Sequence, residues 1–152
     1  MLHYFDLLSL PLSILLGGVA VTQGITPTPS PSTTPFHRDE TACNGSEMQL
    51  ADCSFDNTDI ALCDHTLDDM GISCQIDATS TPTCTEPTAP VAPVEGDVRL
   101  TSSSVIGDSV RGRVEICLGT PVCSWTSVCD DQFGVEEAIV VCNQLGFAGS
   151  GM

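Results

Sequence analysis

The chain of 152 residues carries 20 Asp and Glu against four Arg and no Lys, a formal net charge of −16. Such a surface repels the phosphates of nucleic acids and anionic membranes, which disfavours both as partners and favours basic proteins or cations such as Ca²⁺. Nine residues are cysteine, and no C-x-x-C pair occurs. Frequent cysteines without zinc-type spacing indicate disulfides formed in an oxidising, extracellular compartment.

The first 22 residues form an apolar segment with two interpretations. The run LLSLPLSILLGGVAV (Leu7–Val21) is similar to the apolar region of a signal peptide, with a cleavage site near Gly18-Val19-Ala20. The preceding MLHYFD, however, lacks the usual basic residues. The alternative is that this segment is a buried strand or part of an incomplete domain.

Two cysteine-containing blocks, residues 23–74 and 97–152, lie on either side of a linker. The linker, Gln75–Gly96, is rich in Thr and Pro and has little to bury, so we expect it to be extended and mobile. In the first block, Leu50 falls between Cys43 and Cys53, which suggests a small disulfide-closed loop. The stretch GISC predicts a strand at the end of this block.

The second block predicts mixed structure. Alternating polar and apolar residues predict strands at Asp97–Leu100 and Arg113–Cys117. Apolar residues at helical spacing predict a helix from Val135 to Leu145, with Gly146 placed to end it. Three glycines are predicted to mark turns: Gly107, Gly112 and Gly119.

Both blocks resemble the scavenger receptor cysteine-rich (SRCR) domain family. DVRL…GRVEIC…SWTSVCDDQFGVEEAIVVCNQLGF is similar to the first half of such a domain, and DETACNGSEMQLADC…LCDHTLDDMGISC to the second half. The halves therefore occur in reversed order. The chain is either a piece of a tandem array or a circularly permuted domain, and we expect a fragment to fold by the permuted pairing. The resemblance implies a small α+β fold, a curved antiparallel sheet with one helix, stapled by disulfides.

The resemblance also implies three disulfides, one local and two between the halves: Cys43–Cys53, Cys63–Cys129 and Cys74–Cys142. Outside that scheme, Cys84 precedes the first strand of the second block and Cys117 ends the second strand. We predict Cys84–Cys117, with Cys117–Cys123 within a hairpin as the alternative. Either choice leaves one thiol over.

Acidic residues of both halves are candidate calcium ligands. In some members of the family, two acidic loops together bind Ca²⁺, and a basic group of the ligand bridges to them. The residues at the matching positions are Asp130 and Asp131 in CDD, and Asp68 and Asp69 before Gly71. Carboxylate oxygens are the ligands that Ca²⁺ requires. The alternative is a solvated acidic surface, with Asp131 capping the helix.

Other candidate sites are few. No catalytic motif occurs, so we expect no enzymatic activity and no further cofactor. His65 occupies the C-x-H position of the family and is predicted to be structural. Asn44-Gly45-Ser46 is an N-glycosylation sequon.

The resemblance implies an extracellular recognition module, either secreted or part of the ectodomain of a membrane protein. Such a module binds proteins or microbial surface ligands, here preferably basic ones, and stands beside other SRCR domains in tandem. Two alternatives are an accessory fragment of a secreted hydrolase or protease, and a truncated product without function.

Overall fold

A mixed sheet with one helix packed against it forms the described part of the chain. The structure, a computed structural model, describes residues 18–20, 34–75 and 92–147. Its elements are β1 (Gly18–Ala20), β2 (Phe36–Arg38), β3 (Gly71–Gln75), β4 (Val98–Ile106), β5 (Ser109–Leu118), β6 (Ser124–Val128) and α1 (Val135–Gln144). Single 3₁₀ turns lie at Leu50–Asp52 and Ile60–Leu62.

The two halves of the chain share this sheet. β3, from the first block, pairs antiparallel with β5, from the second, so that Gly71 lies opposite Arg113 and Gln75 opposite Ser109. β5 also pairs antiparallel with β4 and β6. β2 runs parallel to β6. The predicted small α+β fold with disulfides is confirmed, while the sheet is mixed at this strand rather than wholly antiparallel.

β4 and β5 form a hairpin that is longer than the predicted strands. It turns at Gly107, as predicted, with a φ of 59°. The turn predicted at Gly112 is wrong, because Gly112 lies inside β5. A Cβ on Gly112 would lie 2.9 Å from Leu100 Cβ and 3.0 Å from the carbonyl oxygen of Thr101. β4 bulges between Thr101 and Ser104, and this close approach of its backbone requires the glycine.

The helix α1 begins at Val135, as the apolar spacing predicts. At its start, the N–H of Gly134 donates to the carboxylate of Glu137 at 2.7 Å. At its end, Gly146 has a φ of 81° and its N–H donates to the carbonyl of Asn143 at 3.0 Å. The N–H of Phe147 donates to the carbonyl of Cys142 at 2.9 Å. These two bonds form a Schellman motif, and Gly146 ends the helix as predicted.

One apolar core lies between the sheet and α1. Along β5, core residues alternate with charged residues of the opposite face, because successive side chains of a strand point to opposite sides. Leu50, in the loop between Cys43 and Cys53, reaches the same core. The large core residues are Leu50, Met70, Ile72, Val114, Ile116, Val128, Phe133, Val140 and Val141.

Disulfides join the two halves into one domain. The described residues contain the bonds Cys43–Cys53, Cys63–Cys129, Cys74–Cys142 and Cys117–Cys123. The first three are the pairs that the family resemblance implies. The two that connect the halves span 66 and 68 residues, and a bond of this kind typically stabilises by about 2–4 kcal/mol through its effect on the unfolded chain. Together with the β3–β5 pairing, they hold the halves together in the permuted order.

The predicted Cys84–Cys117 bond is wrong. Cys117 lies near the end of β5, and Cys123 directly precedes β6, so the turn between these antiparallel strands brings the two sulfurs together. The chain loses little entropy when two residues close in sequence are brought together, whereas Cys84 belongs to the long linker. Cys84 itself lies outside the described residues.

The N-terminal segment contributes β1, which pairs antiparallel with β3 and lies against α1. Its residues, Gly18–Ala20, are those of the predicted cleavage site, and a strand here is what the alternative interpretation expects. The rest of segment 1–22 lies outside the described residues, as do residues 76–91 of the predicted linker. Among the described residues, no helix is long and apolar enough to cross a membrane.

Candidate functional site

Two acidic loops, one from each half, meet at one end of the sheet. The disulfide Cys63–Cys129 joins them. The backbone N–H of Asp130 donates to the carbonyl of Asp68 at 3.0 Å, and Asp131 follows directly in the chain. Asp68 is therefore brought close to Asp130 and Asp131, from which it is distant in the sequence, so three of the four predicted calcium ligands meet.

Asp39 is a fourth acid beside these two loops, and no pattern in the sequence predicted its position there. Carboxylate oxygens of Asp39 and Asp131 lie within 4.8 Å of each other. Asp39 is fully buried, and among the described residues its Oδ2 has no hydrogen-bond partner. It directly follows β2, and only the parallel pairing of β2 with β6 brings it beside the loop that follows β6. We call Asp39, Asp68, Asp130 and Asp131 the acidic cluster.

Burial and like charges act on the acidic cluster. Burial raises the pKa of Asp130, and the neighbouring Asp68, Asp131 and Asp39 raise it further. Burial also raises the pKa of Asp39, as does Asp131, although the backbone N–H of Glu40 lowers it. The charged forms of both carboxylates are thus disfavoured until a cation neutralises them. The sulfurs beside Asp39 and Asp131 are bonded to each other, so only oxygens are offered, and oxygens suit a hard cation such as Ca²⁺.

Asp69 lies elsewhere, although it was predicted with Asp68. Its side chain is 2% exposed, its Oδ1 lies 2.9 Å from Nδ1 of His65, and its Oδ2 lies 3.9 Å from Nε of Arg113. The carboxylate is therefore committed to partners inside the protein. Asp69 has a structural role, and Asp39 takes its place near the other three acids.

From Asp69, a row of alternating charges continues across the sheet. Nη2 of Arg113 donates to Oε1 of Glu115 at 2.8 Å, and Nε of Arg99 donates to Oε2 of Glu115 at 2.8 Å. The guanidinium of Arg99 lies 4.1 Å from the ring centre of Trp125. We call this row the charge ladder; its members are His65, Asp69, Arg113, Glu115 and Arg99.

His65 is the last residue of the ladder, beyond Asp69. Its Nε2 lies 2.6 Å from the carbonyl oxygen of Thr34, and its ring stacks on Phe36 at a centroid distance of 4.2 Å. Both ring nitrogens thus have partners inside the fold. This arrangement agrees with the structural role predicted for His65.

Comparison with known proteins identifies the family. A model of the scavenger receptor cysteine-rich domain matches residues 106–152. The chain belongs to the SRCR family. The matched stretch contains all of β5, β6 and α1, together with Asp130 and Asp131 of the acidic cluster.

Curated relatives are similar to this SRCR chain over a longer stretch than the one the family model matches. Lysyl oxidase homolog 2 of Mus musculus is 34% identical over 115 residues, which are 74% of this chain and 12% of the relative. Lysyl oxidase homolog 3 of Homo sapiens is 30% identical over 112 residues, 73% of this chain and 13% of the relative. The chain therefore spans about an eighth of the length of these relatives. No solved structure matches.

The glycosylation sequon lies on the surface of the SRCR fold. Asn44 and Ser46 are exposed, and Gly45 between them has a φ of 79°. The Nδ2 of Asn44 donates to Glu47 at 3.2 Å, an exposed contact that a glycan could replace. The sequon directly follows Cys43, so the Cys43–Cys53 bond anchors the turn that carries it.

Proposed function

We propose that this chain is an extracellular SRCR recognition module that binds Ca²⁺ at its acidic cluster and basic groups of protein or microbial ligands through it. The observation that carries the proposal is the meeting of Asp68 with Asp130 and Asp131 across the two halves. Carboxylates of like charge repel one another, so a folded protein that holds them together gains by binding a cation between them.

The oxygen supply of the acidic cluster supports this assignment. Ca²⁺ takes six to eight oxygen ligands, some of them from water. Within residues 18–20, 34–75 and 92–147, no hydrogen-bond partner reaches Oδ2 of Asp39. Asp68 uses Oδ2 to accept the N–H of Asp64 at 2.7 Å, which orients the carboxylate while leaving Oδ1 for a metal. Carboxylate oxygens of Asp39 and Asp131 lie within 4.8 Å of each other, and Asp68, Asp130 and water would supply the remaining ligands of a calcium ion.

The surroundings of the cluster favour a basic partner with some apolar surface. The net charge of −16 attracts cationic proteins and repels polyanions. Leu62 and Leu67, on either side of Cys63 in the loop before Asp68, are 76% and 78% exposed. These leucines offer apolar contact to a ligand whose Lys or Arg reaches the bound ion.

Calorimetric titration with CaCl₂ tests the proposal on the secreted, oxidised full chain. We expect saturable binding with Kd of roughly 0.1–1 mM, the range of extracellular calcium modules. Asp130→Asn should weaken it at least tenfold. The matched control is Asp108→Asn, which removes an exposed acid in the β4–β5 turn and should leave binding unchanged. Absence of saturable binding to the wild type, or equal loss in both variants, would overturn the proposal.

A second candidate function is that of an accessory module in a longer secreted oxidase. The relatives are named lysyl oxidase homologs. We therefore propose an oxidase as the parent protein, in place of the hydrolase or protease that the sequence suggested. A match covering 74% of the chain crosses the linker wherever it begins, which supports origin in a tandem array with the halves in this order. An immunoblot with antibody against residues 97–147 tests this: a band several times heavier than 15.9 kDa supports it, and a single band at that mass contradicts it.

We also propose that Asn44 carries an N-linked glycan, because the sequon is exposed. Treatment of the secreted protein with an amidase that removes N-glycans should lower its apparent mass. Ser46→Ala should abolish the shift, whereas Ser46→Thr keeps the sequon and should preserve it. A mass unchanged by the enzyme would contradict glycosylation.

A further inference from the structure

Arg111 is the arginine for which the fold supplies no acceptor. The chain has four arginines and no lysine. Arg99 and Arg113 belong to the charge ladder, and the guanidinium of the buried Arg38 stacks 3.7 Å from the ring centre of Phe55. Within the described part of the chain, Arg111 has neither an ion pair nor a side-chain hydrogen bond, and its buried Nε lacks a partner.

The cost of this arrangement points to a ligand. A buried N–H without an acceptor destabilises the fold, and native proteins contain few of them. The side chain of Arg111 is only partly buried, so a molecule from solvent can approach it, unlike Arg38. A planar oxyanion would satisfy Nε and one Nη together in a bidentate pair, the strongest hydrogen-bonding arrangement of an arginine.

Neighbouring side chains extend the binding surface. Ser73 on β3 and Ser104 on β4 both lie opposite Arg111 on β5, and residues directly opposite in an antiparallel sheet share one face. Ser109 precedes Arg111 by two residues and shares its face, as does its cross-strand partner Ile106. Ile106 is 53% exposed. Ser73 is 5% exposed, so we call the other four residues, Arg111, Ser104, Ser109 and Ile106, the hairpin surface.

We propose that the hairpin surface binds a protein segment through an acidic side chain that has an apolar residue next to it. Arg111 would pair with the carboxylate, the flanking hydroxyl of Ser104 would donate to it, and Ile106 would contact the apolar neighbour. A single arginine on a chain of net charge −16 favours one carboxylate over a polyanion. This site takes ligands of opposite charge to those of the acidic cluster and needs no metal.

NMR titration of the ¹⁵N-labelled full chain tests the inference, in buffer freed of Ca²⁺ by a chelating resin. The probe is the blocked peptide acetyl-Ala-Leu-Glu-amide, and the matched probe carries Gln in place of Glu. We expect a saturable shift of the Arg111 Nε–H resonance with the Glu peptide and at least tenfold weaker binding of the Gln peptide. No saturable shift, or equal binding of the two peptides, would refute the carboxylate site.

Variants separate this site from general charge attraction. Arg111→Gln should weaken binding of the Glu peptide at least tenfold, whereas Arg99→Gln removes the same charge from the same sheet and should retain it. Arg111→Lys keeps the charge without the bidentate geometry and should bind with intermediate affinity, which covers the case in which Arg111→Gln fails to fold. Equal losses in Arg111→Gln and Arg99→Gln, or tighter Arg111-dependent binding of a heparin oligosaccharide, would overturn the proposal. Because no Ca²⁺ is present, the outcome is independent of the acidic cluster.

Discussion

The charge ladder and the acidic cluster lie side by side and use their charges in opposite ways. In the ladder, charges of opposite sign alternate at hydrogen-bond distance, and Glu115 is 4% exposed between Arg99 and Arg113. In the cluster, burial and neighbouring carboxylates raise the pKa of Asp130 and of Asp39. Within the ladder, charged side chains of opposite sign are partners of one another, so the ladder contributes to the fold. A cation from solvent would neutralise the cluster, which is why we propose that the function lies there.

Asp68 and Asp69 show how narrowly the two regions are separated. They are adjacent in sequence, yet Asp69 is bound within the ladder and Asp68 lies beside Asp130. The chain is nearly extended as it approaches β3, so successive side chains point to opposite sides. A pair of acids in a sequence therefore does not indicate one shared role.

The largest expected effect comes from breaking the ladder at its centre. Glu115→Ala leaves Arg113 buried without its closest acceptor, and loss of one partner of a buried ion pair typically costs about 3–5 kcal/mol. Equilibrium denaturation by urea measures this change in the free energy of unfolding. As control, Glu136→Ala removes an exposed acid of α1 and should cost far less. A loss below about 1 kcal/mol for Glu115→Ala would show that the ladder is not structural.

Removing the disulfide that joins the two acidic loops should have the next largest effect. The double variant Cys63→Ala with Cys129→Ala opens a loop of 66 residues and should cost about 2–4 kcal/mol, and it should also weaken Ca²⁺ binding. Removal of Cys117–Cys123, which spans 6 residues, is the control. It should cost about 2 kcal/mol less, because the entropy of loop closure grows with loop length. Calcium binding that survives loss of Cys63–Cys129 unchanged would show that the halves position the cluster without this bond.

A smaller change of opposite sign is expected within the cluster. Asp39→Asn removes a buried charge that its neighbours disfavour, and it should raise the melting temperature of the calcium-free protein by roughly 2 °C. The same variant should bind Ca²⁺ more weakly. Differential scanning calorimetry with and without CaCl₂ measures both effects. A lower melting temperature without calcium would mean that the Asp39 carboxylate stabilises the fold by itself.

The smallest expected effect is a change with pH in the melting-temperature difference between Asp39→Asn and wild type. The pKa of Asp39 is raised in the folded protein, so the folded state holds its proton more tightly than the unfolded state. The resulting penalty is absent below the unfolded pKa of about 3.9 and grows as pH rises through the folded pKa. The gap in melting temperature between Asp39→Asn and wild type should therefore be near zero at pH 3.5 and largest at pH 7. A gap that is the same at both pH values would contradict the raised pKa.

Local sequence determined the elements whose physics is local. The helix follows from apolar residues at helical spacing and a glycine free to adopt a positive φ. Strand β3 and the part of β5 from Arg113 to Cys117 follow from their pattern of apolar residues. Family motifs further implied three disulfides and the meeting of Asp68, Asp130 and Asp131.

Only the tertiary structure decided which charges act together. It placed Asp39 in the cluster through the parallel pairing of β2 with β6. It paired Asp69 with Arg113 in the ladder, and among the described residues it left Nε of Arg111 without an acceptor. It also paired Cys117 with Cys123 and set the bulge of β4 over Gly112. Each of these outcomes depends on strand order and register between distant segments. A side chain's own sequence neighbourhood carries no information on which residue of another strand will lie opposite it.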